Sequence, residues 1–241
     1  MKTKTKGFLL TASVCLATTF TLSCSSDDKD DGDGVSSSSG GNQGGVSSSS
    51  GGGGDKGNDI GNYRTIVIGT QTWMAENLDY NVTGSKCYNN DPANCVKYGR
   101  LYDWSTAMGL PSSCNSTSCA SQIQSPRGIC PSGWHIPSYA EWDALMTAVG
   151  GASTAGTKLK TTSGWNSNGN GTDDYEFSAL PGGNGNSNGS FSEVGYRGNW
   201  WSARENGASY AYYRDMGHYY SDMDWVTGSK SYLYSVRCVK D

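Results

Sequence analysis

Eight cysteines constrain this chain more than any other feature. Cys15 lies inside an apolar run, Gly7 to Leu22, and Cys24 stands two residues beyond its end. The other six, Cys87, Cys95, Cys114, Cys119, Cys130 and Cys238, all lie further on. Whether thiols pair depends on compartment. Lys2, Lys4 and Lys6 precede an apolar run too short for a membrane span of about 20 residues, and small residues follow it. That is the order of an export signal. An even set of six in an exported chain implies disulfides, with 15 pairings available. Proximity favours Cys87–Cys95 and Cys114–Cys119, which leaves Cys130–Cys238. Zinc is the poorer reading, because no CxxC occurs and His135 and His218 are the only histidines.

The signal ends Thr21-Leu22-Ser23-Cys24, followed by Ser25-Ser26-Asp27-Asp28. This resembles a bacterial lipoprotein signal, in which Cys24 becomes diacylated and forms the new N-terminus. Leu22 stands two residues before the Cys, where the usual lipobox has Leu three before. The expected address is the outer membrane, lipid-anchored and facing the cell surface, with a secreted or periplasm-facing protein as the alternative. The whole chain carries a net charge of -4; after removal of residues 1–23, 15 bases face 22 acids. That balance excludes a strongly basic nucleic-acid binder. It suits a chain held to a membrane by lipid, with acids clustered at Asp27, Asp28, Asp30, Asp31 and Asp33.

Residues 25–61 hold 12 Gly, 10 Ser and no aromatic. Gly34-Val35-Ser36-Ser37-Ser38-Ser39-Gly40 returns as Gly45-Val46-Ser47-Ser48-Ser49-Ser50-Gly51. Nothing there can stack into a solenoid, so 24–61 reads as a disordered linker with a reach of roughly 35 Å. Residues 62–241 then form one domain. Tyr63 to Ile68, a Gly69-Thr70 turn and Gln71 to Ala75 read as a β-hairpin. Ser138 and Glu141 make a capping box for a helix running to Val149, with Trp142, Leu145 and Val149 on one face and Gly150-Gly151 as its stop. A shorter helix is expected over Tyr102 to Met108. Strands are expected at Phe177–Leu180, Trp200–Ala203, Ser209–Met216 and Tyr232–Val239. The class is α+β, irregular, with short strands, one main helix and long loops.

Several segments carry a resemblance to a known family. They are Ile68-Gly69-Thr70-Gln71-Thr72-Trp73-Met74-Ala75-Glu76-Asn77-Leu78, Tyr98-Gly99-Arg100-Leu101-Tyr102-Asp103-Trp104, and Cys130-Pro131-Ser132-Gly133-Trp134-His135-Ile136-Pro137 with Glu141-Trp142. Phe177-Ser178-Ala179-Leu180-Pro181-Gly182-Gly183, Trp200-Trp201-Ser202 and Ser235-Val236-Arg237-Cys238-Val239 complete the set. Together they resemble the Fibrobacter succinogenes major paralogous domain, a family of bacterial surface lipoproteins and secreted modules. The resemblance implies a fold similar to C-type-lectin-like domains and to the formylglycine-generating enzyme group.

For function, the C-terminal half is rich in rings. Trp165, Tyr210, Tyr212, Tyr213, Tyr219, Tyr220 and Trp225 are candidates for contacting glycan, because flat apolar faces suit sugars while polar edges reach hydroxyls. Alternation places Tyr210 and Tyr212 on one face of their strand and Tyr213 on the other. Packing is the competing role, and Trp73, Trp104, Trp134, Trp142 and Trp201, within the family segments, read as core. Asn166, Asn168 and Asn170, with Asp173 and Asp174 behind them, echo a calcium loop, as does Asn184-x-Asn186-x-Asn188-Gly189. Neutral Asn ligands are weak and Phe177 stands where the terminal Glu belongs, so turns are the preferred reading, Ca2+ the alternative, and no other cofactor is expected. The resemblance to formylglycine-generating enzymes implies a reactive Cys pair near the C-terminus, where this chain has only Cys238. No catalytic constellation stands out. The expected protein is a non-catalytic, lipid-anchored surface module binding polysaccharide or a surface protein in adhesion. A structural coat or interaction module comes next, and an oxidase-like enzyme last.

Overall fold

The computed structural model describes residues 56–123 and 126–241. The signal, Cys24 and the Gly/Ser repeat lie outside them. Folded contacts begin before Asn62: Lys56 pairs with Glu76, Tyr63 donates to Gly57 O at 2.9 Å, and a short 3-10 turn spans Ile60–Asn62.

The hairpin is β1 (Thr65–Ile68) and β2 (Gln71–Met74), turned at Gly69 with φ 61°. Next come α1 (Pro92–Tyr98), β3 (Leu101–Tyr102), α2 (Trp104–Ala107) and β4 (Trp134–His135). Two helices follow, α3 (Tyr139–Ala148) and α4 (Ala152–Leu159). The remainder is strands: β5 (Gly182–Gly185), β6 (Phe191–Val194), β7 (Arg197–Glu205), β8 (Tyr210–Gly217), β9 (Asp224–Ser229), β10 (Tyr234–Ser235) and β11 (Val239–Lys240). One sheet has the order β1-β2-β11-β4, a second β3-β10-β7-β8-β9, and β5-β6 stands as a separate hairpin. The protein is α+β.

Alternation along strands divides the interior in two. Trp73 and Trp200 enter one cluster with Trp142, Leu145, Val149 and Phe177, while their neighbours Met74 and Trp201 enter another with Tyr102, Trp104 and Val236. The capping box of α3 is complete, Glu141 N donating to Ser138 Oγ and Ser138 N to the Glu141 carboxylate. Trp142, Leu145 and Val149 are fully buried, as their spacing predicts. Burial of a side chain such as Leu145 stabilises by roughly 1.5–3 kcal/mol.

The three disulfides among the described residues are Cys87–Cys95, Cys114–Cys119 and Cys130–Cys238, the first two favoured by proximity and the third the pair that remains. The structure departs from expectation elsewhere. Tyr232–Val239 is not one strand: β10 pairs with β3 and β7, β11 pairs with β2 and β4, and Cys238 lies in the crossing between them. That crossing is nonetheless bonded, since Leu78 N donates to Val236 O and Met74 N to Cys238 O. Phe177–Leu180 forms a single bridge, Ala179 to Lys160, because its amides and carbonyls serve loops and side chains instead of a ladder. The helix expected over Tyr102–Met108 shortens to α2, capped by Asp103.

Four cations are buried at 2% exposure or less among the described residues, each over a ring: Lys160 on Trp165, Arg214 on Trp225, Lys230 on Trp104 and Arg237 on Phe177. Their donors collect backbone carbonyls that the Gly- and Asn-rich loops leave outside helices and ladders. Lys160 Nζ donates to Gly217 O at 2.7 Å and Tyr220 O at 2.6 Å, and Lys230 Nζ to Ala208 O at 3.1 Å and Glu205 Oε2 at 2.8 Å. Burial pulls the Lys160 ammonium pKa down.

Candidate functional site

On one face of the β7-β8 pair, alternation lines up Arg197, Asn199 and Trp201 opposite Gly217, Asp215 and Tyr213. The β5-β6 hairpin lies over this face. Three of the four residues of β5 are glycines, and the close fit requires two of them. A Cβ on Gly183, which has φ 67°, would come 2.5 Å from Ser192 O, and one on Gly185 would come 2.7 Å from Leu233. Asn184 is therefore the one side chain that β5 presents.

Between hairpin and sheet is a cleft of about 400 Å³. Asn184, Asn199 and Tyr234 are its buried residues, and Asn186, Ser192, Arg197, Tyr213 and Tyr232 are half-buried. Exposed Glu193 completes the lining. Tyr213 and Tyr234 rings lie 4.4 Å apart, with Tyr232 at 6.3 Å from Tyr234. Tyr234 donates its hydroxyl to Tyr213, and burial pushes both phenols up from their ordinary range. Gly228 on β9 makes room, since a Cβ there would stand 2.9 Å from the Tyr234 oxygen.

The amides in the cleft are poorly satisfied. Asn184 Nδ2 donates to Asn186 Oδ1 at 3.4 Å, Ser192 Oγ to Asn184 Oδ1 at 3.3 Å, and Asn199 Nδ2 to Gly183 O at 3.5 Å. Good bonds of this kind are nearer 2.9 Å. Donors and acceptors beside ring faces make a surface for a polar, hydroxyl-rich ligand.

Of the ring candidates read from sequence, only Tyr213 lines this cleft. Trp165 is a correction: it is buried, with Nε1 donating to Ala179 O at 3.0 Å, because the Lys160 ammonium and the loops around it enclose the indole. Tyr212 and Trp225 pack on the opposite sheet face, where Trp225 stacks on Tyr139 at 3.9 Å and Arg204 lies 5.1 Å from Tyr139 and Tyr212 alike. Tyr210 is exposed at the start of β8; Tyr219 and Tyr220 are exposed beyond its end, where the His218 ring touches Tyr219. Asn184, Asn186, Ser192, Glu193, Arg197, Asn199, Tyr232 and Tyr234 were not among the ring candidates. The one signal for them was the Asn-rich segment at 184–188, which the sequence offers equally to calcium.

The other Asn-rich segment turns its oxygens inward on the chain. Asn170 Oδ1 accepts from Trp165 N, and both Asp173 oxygens accept from Ser178. Asn166 lies against Gly195, and Asn168 adopts φ 61°. No group of three or more His, Cys, Asp or Glu among the described residues is placed to hold a metal ion.

His135 stands apart from the cleft, its Nε2 2.7 Å from Glu141 Oε1 and its Nδ1 2.6 Å from Asp241 Oδ1. It joins β4, the α3 cap and the C-terminal segment. The hydrogen bond to Glu141 raises the His135 pKa above 6.5. Burial would raise Glu141, but His135 and Ser138 hold it at about 2, below its ordinary 4.5. A raised histidine stabilises below its unfolded pKa and loses that contribution as pH rises through the folded value. A lowered carboxylate stabilises above its unfolded pKa and loses that contribution as pH falls. The pair therefore contributes fully between about pH 4.5 and 6.5. His135→Gln is expected to lower Tm most in that window and progressively less in alkali. Melting curves across pH check this, and a Tm difference that stays constant would refute it.

A family model described as the Fibrobacter succinogenes major domain matches residues 66–240. No curated protein and no solved structure matches the chain.

Proposed function

Since the chain belongs to the Fibrobacter succinogenes major domain family, we propose that it is a non-catalytic surface module, lipid-anchored through Cys24, which binds glycan in the cleft between β5-β6 and β7-β8. The observation that carries this reading is the set of long amide bonds at Asn184 and Asn199 beside the Tyr213, Tyr232 and Tyr234 rings. Sugar hydroxyls both donate and accept, so they complete such amides, while C–H faces cover the rings. A ligand that only stacked would leave the buried amides unsatisfied, and that specificity is what a hydroxyl-binding site needs.

A coat or protein-interaction module is the second reading, favoured by Tyr210, Tyr219 and Tyr220, each more than half exposed. The oxidase-type alternative needs two reactive cysteines near the C-terminus, whereas Cys238 is bridged to Cys130 and wholly buried.

The test is a glycan array probed with the full chain, followed by titration of the best ligand. Tyr232→Ala is expected to weaken binding at least about tenfold, worth roughly 1.4 kcal/mol. Tyr219→Ala should leave it unchanged. Binding lost through Tyr219 and retained without the Tyr232 ring would move the function to the exposed tyrosines and favour the interaction reading. Acylated Cys24 in the membrane fraction's mass spectrum completes the picture, and an unacylated mature N-terminus would remove the anchor.

A further inference from the structure

We propose that Asn206 is a site of spontaneous covalent modification, where the Gly207 amide nitrogen displaces the side-chain amide and water then leaves aspartate or isoaspartate. The chain has five Asn-Gly pairs, with Asn at 168, 170, 184, 188 and 206. A glycine has no side chain to block its backbone nitrogen from the Cγ of the Asn before it, so sequence makes the five alike. The fold separates them. Gly169 N donates to Asn166 O at 2.9 Å, Gly171 N to Thr161 O at 3.0 Å, Gly185 N to Leu233 O at 3.0 Å and Gly189 N to Asn186 O at 2.9 Å. Each of these nitrogens must first give up its bond through a local opening. Three of the side chains are held as well: Asn170 Oδ1 accepts from Trp165 N, Asn184 Oδ1 from Ser192 Oγ and Asn188 Oδ1 from Ser190 N. Gly207 is the exception. Among the described residues neither its amide nor the Asn206 side chain has a hydrogen-bond partner, and Asn206, Gly207 and Ala208 are all exposed. Even a Cβ added to Gly207 would meet nothing within 4 Å, so its nitrogen is open to water and base.

Water is the one co-reactant. Base takes the Gly207 N–H proton, the nitrogen bonds to Asn206 Cγ, and the side-chain nitrogen recovers a proton and leaves as ammonia. Nothing is oxidised or reduced. Water then adds to the cyclic imide. Breaking the Cγ–N bond gives aspartate on the ordinary backbone. Breaking the bond from the main-chain carbonyl carbon to nitrogen gives isoaspartate, in which the chain runs through the side chain and is one methylene longer. That methylene falls just before two carbonyls that serve a buried cation. Ala208 O accepts from Lys230 Nζ at 3.1 Å and Ser209 O from Lys230 N at 2.9 Å, and Lys230 has no exposure. The other bonds of its ammonium go to Glu205 Oε2 at 2.8 Å and Thr117 O at 3.3 Å. Isoaspartate displaces the carbonyls that follow it, and a buried charged donor pays heavily for a lost acceptor. Plain aspartate leaves them in place and adds only an exposed charge beside Glu205, which solvent and salt screen.

Peptide mapping by mass spectrometry tests the site, on the full chain aged at physiological temperature in mildly alkaline buffer made with heavy-oxygen water. The acid at 206 is expected to form at least about tenfold faster than at 168, 170, 184 or 188, with heavy oxygen in the new carboxylate. In denaturant, where the other glycine amides are released, the rates at all five pairs should come within about threefold of one another. A rate at any other pair that equals or exceeds the one at 206 in the folded chain overturns the proposal. So does a lead of about tenfold that persists in denaturant, because hydrogen bonding would then not choose the site. The consequence for Lys230 is read from melting. The isoaspartate fraction should melt below an Asn206→Asp variant, which carries the same charge on an unaltered backbone, and an Asn206→Gln variant aged alongside should keep its initial Tm. Isoaspartate that melts together with Asn206→Asp overturns the link to the buried lysine.

Discussion

Replacing Asn77 by Ala is expected to lower stability by roughly 3–5 kcal/mol, the range for stripping a buried charge of its partner. Asn77 Oδ1 accepts from Trp200 Nε1 at 2.8 Å, Arg237 Nη2 at 2.7 Å and Arg237 Nε at 3.2 Å, while its Nδ2 donates to Tyr98 O at 2.9 Å. Arg237 has no exposure, and burial brings its pKa down to about 9. Among the described residues no carboxylate bonds to it; an amide oxygen and the carbonyls of Phe177 and Ser178 hold it above the Phe177 ring. Ala at 77 leaves two Arg donors, an indole N–H and a carbonyl to be rescued by residues that are already committed. Arg237→Met, which removes the charge together with its demand, should cost less than Asn77→Ala even though it deletes more bonds. Chemical denaturation of both variants decides the matter. A loss at Asn77→Ala below about 1 kcal/mol, or the reverse order, would show that the cation is held mainly by the carbonyls.

Asn77, Trp200 and Arg237 come from three of the segments that carry the family resemblance, which explains how much of this fold the sequence could announce. Local signals were read correctly where the cause is local. The Gly69 turn, the Ser138–Glu141 box and the Trp142, Leu145, Val149 stripe depend on residues within a dozen positions of one another. Most of the departures have long-range causes. α4 carries one Ser, two Thr and a Gly among its eight residues, weak helix formers by propensity, and is held by Thr157 N donating to Ser221 O and by Gly156 admitting the 221–222 backbone against the helix. α1 is the exception, with a local signal in Asp91 as N-cap and Pro92 behind it. Lys160 and Lys230 look like any surface lysine in sequence; only loops 57 and 22 residues away make them interior cations.

The cleft was less legible than the fold for the same reason. Asn184, Asn199, Tyr213 and Tyr232 belong to different strands and turns, and no spacing joins them. Tyrosine abundance marks the C-terminal half, where the cleft also lies, but composition does not tell an exposed ring from a buried one. Trp165, set among Gly and Asn, reads as an outward ring and is in fact roofed by Lys160. Tyr232 and Tyr234, inside a stretch read as one strand, are brought to the cleft because that stretch changes sheets after Ser235.

That change of sheet gives the Cys130–Cys238 bridge its expected weight. Cys238 lies in the crossing from β10 to β11, and Cys130 precedes β4, so the link fixes the segment that holds the two sheets together. It spans 108 residues, against 5 for Cys114–Cys119. In the chain-entropy model the long loop is worth roughly 4–5 kcal/mol and the short one about 2. Cys238→Ser is therefore expected to cost 2–5 kcal/mol, as roughly observed for native bridges in small secreted domains, and clearly more than Cys119→Ser. All four sulfurs are in buried residues, so the penalty for leaving a polar hydroxyl inside is similar in both variants and the difference isolates the loop. One opposing factor is local: Cys119 N donates to Glu205 Oε2 at 3.0 Å, and Glu205 also holds Lys230, so strain at the short loop can spread to a buried ion pair. The denaturant slope separates the two effects. Loss of the long bridge lets the unfolded chain expand and should raise m, whereas damage around Glu205 acts on the folded state and should leave m unchanged. Equal free-energy losses with equal slopes would mean that the bridge stabilises through its local packing and not by restraining the unfolded chain.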